Sequence, residues 1–154
     1  KNKSKLTLLR ETIKTDSNIN ILIAKSLIKK GYKKIGVLGL SYKGNLKVDI
    51  LSPVIPFVKH LKSKGINVSL FDPYYSNKEI RRIVGVKSFK YPQGLSKFDC
   101  IVVSIDHKEF KTNIKNITKY LTNCKYILDN MKVWEKINFP KHIAYKISGE
   151  KNWI

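Results

Sequence analysis

Five short apolar runs alternate with amphipathic segments along most of the chain. Each run consists mainly of aliphatic and aromatic residues and is bounded by polar or turn-forming residues, as expected of strands buried on both faces of a sheet. The five predicted strands occupy residues 34–40, 67–71, 99–105, 126–129 and 143–147.

The segments between these runs have the spacing of helices. Ser52-Pro53 offers a helix start, and apolar residues then recur every three or four positions over 54–61. Similar spacing predicts a short helix over 77–84 and another over 110–121. Strands that alternate with helices predict an α/β fold, a Rossmann-like doubly wound parallel sheet, here preceded by one or two helices.

The first 34 residues contain no strand pattern. Apolar residues at helical spacing form two groups, over 6–13 and 21–28, and the polar residues Asp16-Ser17-Asn18 between them are suited to cap a second helix. We therefore divide the chain into a helical segment, 1–34, and a Rossmann-like domain, 35–154.

Charge is the extreme feature of the composition. Lys and Arg number 31 against 11 Asp and Glu, which gives a net charge of +20. Such a surface attracts anions, including nucleic acid, anionic membranes and phosphorylated small molecules. The lysines are scattered through every segment, which weakens the case for nucleic acid. A lysine-rich proteome producing this charge without any partner is an equal alternative.

Other sequence signals restrict the class of protein. No apolar run approaches the roughly 18–20 residues that span a bilayer, and the first residues lack the apolar core of a signal peptide. We therefore expect a soluble cytoplasmic protein without a transmembrane segment. Cys100 and Cys124 lie in no metal-binding cluster and are predicted to be buried, reduced thiols. The histidines are far apart and show no metal-ligand spacing.

The connection after the first strand is a candidate phosphate site. It is a long loop with a lysine, Lys43, and long loops at the carboxyl ends of parallel strands commonly bind ligands. Gly36 and Gly39 are three residues apart, which excludes the GxGxxG dinucleotide fingerprint, and no Walker motif follows. A solvated loop lysine without a ligand is the alternative.

Two acidic positions after strands invite a catalytic interpretation. Asp72 lies where a Rossmann acid would bind ribose, but the following proline favours a turn. Asp106-His107 and Glu109 suggest a general base, although Asp106 as a helix N-cap is the preferred interpretation. No catalytic centre is visible in the chain.

Four ordered motifs resemble the C-terminal domain of the UDP-glucose/GDP-mannose dehydrogenase family. They are LGLSYKGN with Ser-Pro seven residues later, GINVSLFDPYY, FDCIVVSIDHKEF and YILDNMKVW, which begin at residues 38, 65, 98 and 126. LSYKGN and DPYY are most similar to the branch of UDP-N-acetylmannosamine dehydrogenases. The resemblance extends over essentially the whole chain.

This resemblance implies a function for the intact protein. Enzymes of the family oxidise the C6 alcohol of a nucleotide sugar to a carboxylate with two NAD⁺, using an N-terminal NAD-binding domain and a central domain with the catalytic cysteine. Residues 1–34 would then end the central domain, and 35–154 would bind the UDP-sugar. The resemblance further implies a homodimer that acts in polysaccharide biosynthesis. The fragment alone would not catalyse, and NAD would bind to a domain absent from this chain.

The resemblance also assigns site residues and reveals departures from the family. Tyr42 and Lys43 match the aromatic–lysine pair that contacts the nucleotide sugar, and Lys132 is a further candidate for substrate binding. Two family arginines are replaced by Ile50 and Met131. Each lost guanidinium removes a charge-assisted contact of about 1.5–3 kcal/mol, for which Lys47 and Lys132 are the nearby substitutes.

Two alternatives remain open. The chain is either this nucleotide-sugar domain or a non-catalytic basic module of the same fold that binds an acidic partner, nucleic acid or membrane. A weaker interpretation gives the basic N-terminal helices a structural role in assembly.

Overall fold

A five-stranded parallel sheet forms the centre of the fold. The computed structural model describes residues 18–112 and 114–150, except for the side chain of Lys115. The strands are β1 (Lys34–Leu38), β2 (Asn67–Phe71), β3 (Cys100–Val103), β4 (Tyr126–Asp129) and β5 (Ala144–Ile147). Their spatial order is β2-β1-β3-β4-β5, and every neighbouring pair is parallel. The predicted doubly wound α/β fold is therefore confirmed.

Helices connect the strands. They are α1 (18–29), α2 (Val54–Ser63), α3 (Asn77–Val84) and α4 (Lys108–Lys111), with 3₁₀ helices at Gln93–Lys97 and Ile114–Tyr120. The predicted helical group over 6–13 lies outside the described residues. None of the described helices is long and apolar enough to cross a bilayer.

Each face of the sheet is covered by its own apolar core. Side chains that alternate along a strand enter opposite cores: Val102 belongs to the core that contains residues of α1, α2 and α3, whereas Ile101 and Val103 belong to the core that contains Phe110 and Trp134. Burial on both faces explains why the strands are continuous apolar runs rather than alternating ones. Helix α1 contributes Ile23, Ala24 and Leu27 to the first core.

The predicted helix over 110–121 is wrong in kind. Among its described residues, the α-helical part is limited to the end of α4 (Lys108–Lys111); Thr112 then adopts extended dihedrals (φ −83°, ψ 141°), and Ile114–Tyr120 forms a 3₁₀ helix. The segment contains two threonines and two asparagines, which have low helix propensity. Its apolar positions, including Phe110, Ile117 and Leu121, are nevertheless buried as the spacing predicted.

Both cysteines are free and buried, as predicted. Cys100 lies in β3, and burial raises the pKa of its thiol well above the ordinary value. Burial also raises the pKa of the Cys124 thiol to about 12, although the thiol lies 3.3 Å from the Tyr126 carbonyl oxygen and donates to it. Neither thiol is therefore a ready nucleophile.

Candidate functional site

A cleft of about 490 Å³ opens at the carboxyl edge of the sheet. It is bounded by α1, by the connection between β1 and α2, and by the residues that directly follow β3, β4 and β5. Strand β1 ends at this edge, between β2 on one side and β3 on the other. The chain crosses to β2 and to β3 in separate connections, so the strand order reverses direction here. Doubly wound sheets bind ligands at this kind of position.

The connection after β1, residues 39–53, is tied at both ends. Gly39 has φ +98°, and a Cβ atom there would lie 2.7 Å from Ile105 Cβ, so the turn out of the strand requires glycine. Tyr42 N–H donates to the Val48 carbonyl at 2.6 Å. Ser52 Oγ donates to the Leu40 carbonyl at 2.6 Å, which joins the end of the connection to its beginning.

Asp72 holds the start of this connection against the end of β2. Its Oδ2 accepts hydrogen bonds from the backbone N–H groups of Leu40 (2.7 Å) and Ser41 (3.1 Å). Its Oδ1 accepts from Tyr74 N–H at 2.9 Å, which confirms the turn expected of Asp-Pro. The carboxylate is buried and belongs to the scaffold of the loop, not to the lining of the cleft.

His107 links Asp72 to the middle of the same connection. Asn45 N–H donates to Nδ1 at 2.9 Å, so that nitrogen holds no proton. The imidazole is therefore neutral with its proton on Nε2, which donates to Asp72 Oδ2 at 3.0 Å. The ring is fully buried and packs against the rings of Tyr74 and Phe110. The general-base interpretation of this histidine has no geometric support, because both nitrogens are engaged.

The hydrogen bonds to Asp72 also determine its ionisation. Burial by itself raises the pKa of this carboxyl, but hydrogen bonds from His107, Leu40 and Tyr74 outweigh burial and leave the pKa below its ordinary value. The group is therefore a carboxylate at neutral pH. It accepts from several donors at once, as a buried anion must.

The predicted N-cap role of Asp106 is wrong. His107 is the N-cap residue of α4, without a side-chain cap, and Asp106 instead accepts from Lys111 Nζ at 3.1 Å. The reason lies in the loop. Asn45 Oδ1 accepts the N–H of Lys108 at 2.8 Å and so supplies the cap from another part of the chain. A Cβ at Gly44 would collide with Asp106, so the loop backbone lies directly on this residue.

Two of the three predicted binding residues lie at the cleft. Tyr42 and Lys43 are exposed and line it, and among the described residues Lys43 forms no salt bridge. Lys132 is absent from the lining; it has φ +55°, and its ammonium lies 3.9 Å from Glu150 Oε1.

The positions of the replaced arginines differ from each other. Met131 lines the cleft, whereas Ile50, 76% exposed, lies outside the lining. Lys47 also lies outside the lining, because its ammonium binds Glu79 Oε1 at 2.6 Å and lies over the Tyr75 ring. That ammonium and the Ser76 N-cap lower the pKa of Glu79 to about 2. The expectation that Lys47 replaces a lost arginine is therefore not supported by its contacts.

Sequence reasoning missed Asn130. It follows β4 and lines the cleft, and its Oδ1 is buried without a hydrogen-bond partner among the described residues. Ser104 and Ser148 occupy the corresponding positions just after β3 and β5 and line the same cleft. The sequence did contain a signal for these residues: a short polar residue directly follows each of the three strands, at the edge of the sheet where ligands bind.

The turn that presents Asn130 is itself held by a buried acid. Asp129 accepts hydrogen bonds from Met131 N–H (3.0 Å), Trp134 N–H (2.8 Å) and the Tyr145 hydroxyl (2.8 Å). Burial and the nearby Asp129 raise the pKa of Tyr145, which keeps its hydroxyl protonated as a donor. The hydrogen bonds that Asp129 accepts at the end of β4 thus fix the turn that places Met131 in the cleft.

Comparison with known proteins identifies the family. The model of the UDP-glucose/GDP-mannose dehydrogenase family, UDP binding domain, matches residues 36–136. The chain belongs to this family. The match includes the β1–α2 connection, β3 and the Asp129 turn, and it confirms the resemblance drawn from the four motifs.

Two relatives within the family share one name, UDP-N-acetyl-D-mannosamine dehydrogenase. The chain is 31% identical over 133 residues to a UDP-N-acetyl-D-mannosamine dehydrogenase of Methanocaldococcus jannaschii, covering 77% of this chain and 28% of that protein. With the enzyme of that name from Methanococcus aeolicus it shares 29% identity over 169 residues, 94% of this chain and 35% of the relative. The chain therefore spans about a third of the length of these family members.

Solved structures agree with the fold. The UDP-N-acetyl-mannosamine dehydrogenase of Staphylococcus aureus matches with a TM-score of 0.63 at 23% identity, over 85% of this chain and 29% of that one. The corresponding Pyrococcus horikoshii enzyme matches with a TM-score of 0.61 at 26% identity, over 82% and 28%. At 23% identity, the match to the Staphylococcus aureus enzyme supports the fold alone.

Proposed function

We propose that the cleft binds a UDP-sugar and that the chain serves as the C-terminal lobe of an NAD-dependent UDP-sugar 6-dehydrogenase. UDP-N-acetylmannosamine or UDP-glucose is the proposed substrate, and oxidation of its C6 alcohol to a carboxylate the proposed reaction. The main support is the placement of Tyr42 and Lys43 at the cleft of a chain that the family's UDP binding domain model matches.

Five polar residues of the lining have distinct parts in this proposal. The Lys43 ammonium pairs with the diphosphate as a point charge and is available for it, because it forms no salt bridge in the described part of the chain. Tyr42 offers its ring or its backbone to the nucleotide. Ser104, Ser148 and the free Asn130 oxygen supply neutral donors and acceptors for hydroxyl or amide groups.

NAD does not fit the residues of this chain. The loop after β1 lacks the GxGxxG spacing, and it runs from Leu38 to Val54 before a helix begins, which is far longer than the tight strand-to-helix turn of a dinucleotide-binding motif. In this proposal the NAD-binding and catalytic residues belong to parts of the enzyme outside this chain, whose length is about a third of its relatives. Homodimerisation, cytoplasmic location and a role in polysaccharide synthesis remain predictions that accompany it.

Titration calorimetry with UDP-N-acetylmannosamine and with UDP tests the binding. Replacing Lys43 by Ala should weaken both by about tenfold or more, because a charge-assisted contact contributes about 1.5–3 kcal/mol. Lys59→Ala is the matched control: Lys59 is exposed on α2, outside the cleft lining, and should leave both affinities unchanged. Equal affinities for wild type and Lys43→Ala would remove Lys43 from the site.

The charge of +20 favours one other candidate, a basic module for an acidic partner. Binding to generic DNA, RNA or anionic vesicles would then fall steeply as salt rises. Elution from heparin below about 0.15 M salt would exclude this candidate, since specific polyanion binding persists at that ionic strength.

A further inference from the structure

A second cleft, of about 590 Å³, lies apart from the first one. It shares no lining residue with the UDP-sugar cleft. Its walls come from the end of β2, the Tyr91-Pro92 turn, α4 and the 3₁₀ helix at Ile114–Tyr120. A volume of this size suits one small organic molecule or a single long side chain.

The second cleft contains a carboxylate that lacks donors. Glu109 Oε2 is buried and has no hydrogen-bond partner, and Glu109 is the only acid with such an oxygen in the part of the chain that the structure describes. Buried carboxylates elsewhere in this fold are well supplied: Asp72 and Asp129 each accept several hydrogen bonds. An unpaired buried oxygen is destabilising unless water or a ligand supplies the donor.

The other walls of this cleft are aromatic. Phe71 and Tyr91 stack with their centroids 5.3 Å apart and an interplanar angle of 8°. Tyr91 also makes an edge contact with Phe110 at 5.5 Å, which fixes its orientation. Burial raises the pKa of the Tyr91 hydroxyl to about 12, so the wall stays uncharged at physiological pH. Aromatic surfaces beside a carboxylate are the usual setting for an organic cation.

Lys119, the lysine among the described residues of the lining, does not neutralise Glu109. Lys119 Nζ lies 5.1 Å from the centroid of the Tyr120 ring and makes no salt bridge with Glu109. The cleft thus already holds one cation against an aromatic face, while among the described residues no cation pairs with its carboxylate. The distant charges of this +20 protein are screened within about 8 Å at physiological salt, so the charged residues of the lining, Glu109 and Lys119, set the local charge of the cleft.

We propose that this second cleft binds a small organic cation whose planar amidinium or guanidinium group pairs with the Glu109 carboxylate. Its apolar part lies against Tyr91 and Phe71. A planar cation presents several N–H donors to a carboxylate in one fixed plane, which a single ammonium does not. This site is independent of the proposed UDP-sugar site.

Titration of the ¹⁵N-labelled chain with benzamidinium, with neutral benzamide as its isostere, tests the proposal. Benzamidinium should shift the amide signals of Phe71, Glu109 and Thr112 with a Kd of about 1 mM or below, and benzamide should bind about tenfold more weakly. Glu109→Gln should weaken benzamidinium about tenfold or more, because the charge is removed while the shape is kept. Lys119→Met should strengthen it, since a competing cation is lost.

Glu135→Gln, at an exposed acid outside the cleft, is the matched control and should leave benzamidinium binding unchanged. Equal binding of benzamide and benzamidinium to the wild type would overturn the proposal, whatever the folding of the variants. So would an unchanged Kd in a folded Glu109→Gln protein, or no shifts at about 10 mM benzamidinium, a concentration well above the expected Kd.

A planar cation of this kind has two sources, a free small molecule and an arginine side chain of a partner protein. A blocked Gly-Arg-Gly peptide separates them. Binding tighter than that of benzamidinium identifies a partner's arginine, and weaker binding identifies a free small cation.

Discussion

The Nε2 atom of His107 lies 3.0 Å from Asp72 Oδ2, and both side chains are fully buried. Through Asp72 the pair holds Leu40 and Ser41, and through Nδ1 it holds Asn45. Asp72 follows β2 and His107 follows β3, the two strands that lie beside β1. Together they position the connection that presents Tyr42 and Lys43. These hydrogen bonds fix the conformation of the loop although it has no regular secondary structure.

Removing the imidazole should destabilise the fold. His107→Ala leaves Asp72 short of a donor and Asn45 N–H without an acceptor, and it opens a cavity between Tyr74 and Phe110. We expect a loss of about 2–4 kcal/mol in the free energy of unfolding, measured by urea denaturation. His142→Ala, at an exposed histidine, should change it by less than about 0.5 kcal/mol. Equal effects of the two substitutions would show that the buried network is unimportant for stability.

The ionisation of Asp72 should make stability depend on pH. Its folded-state pKa is lowered, so its stabilising contribution is present above the unfolded-state pKa of about 3.9 and is lost as pH falls through the lower folded value. Asp72→Asn should therefore be less stable than wild type at neutral pH, and the difference should narrow below about pH 4. Urea midpoints from pH 7 down to pH 3 measure it, and a difference that stays constant would contradict the lowered pKa.

Restoring an arginine at the cleft should strengthen nucleotide binding. Met131 lines the cleft and is 45% exposed, so Met131→Arg places a guanidinium there without removing a core side chain. The expected gain in affinity for UDP is about tenfold or more, from one charge-assisted contact.

Ile50→Arg is the matched control for this gain, because Ile50 is exposed and outside the cleft lining. It should leave the UDP affinity of this chain nearly unchanged. Equal gains from both substitutions would indicate a general effect of added charge rather than a local contact.

Gly39 should tolerate alanine less well than Gly65. Both have positive φ, +98° and +74°, so each substitution incurs backbone strain of about 1 kcal/mol. Only at Gly39 does the new Cβ collide with a neighbour, Ile105, whereas Gly65 has nothing within 4 Å. Gly39→Ala should therefore lower the free energy of unfolding by at least about 1 kcal/mol more than Gly65→Ala. Similar urea midpoints for the two variants would refute this steric argument.

The pattern of apolar residues predicted the sheet well. Strands 67–71 and 126–129 have the predicted bounds, and the others differ by one or two residues at their ends. Strands buried on both faces produce an unbroken apolar run, which is a strong local signal. The prediction of a helix over 110–121 was wrong because the apolar residues there are spaced to be buried, whereas the Thr and Asn residues between them disfavour the α conformation.

The site was predictable only in part. Tyr42 and Lys43 were found from a motif contiguous in sequence. Asp72 and His107 had both been singled out, but as a turn and as a possible base. Their contact joins residues 35 apart, and it depends on β2 and β3 lying on either side of β1, which no local pattern encodes.

The fixed proton position on His107 has a practical consequence for studying this domain. A neutral imidazole confined to one tautomer has two ring nitrogens with widely separated ¹⁵N chemical shifts, so the pair of resonances records whether Asn45 N–H is in place. A single isotope-labelled histidine, deep in the protein and away from any ligand, would thus register rearrangements of the binding loop from within.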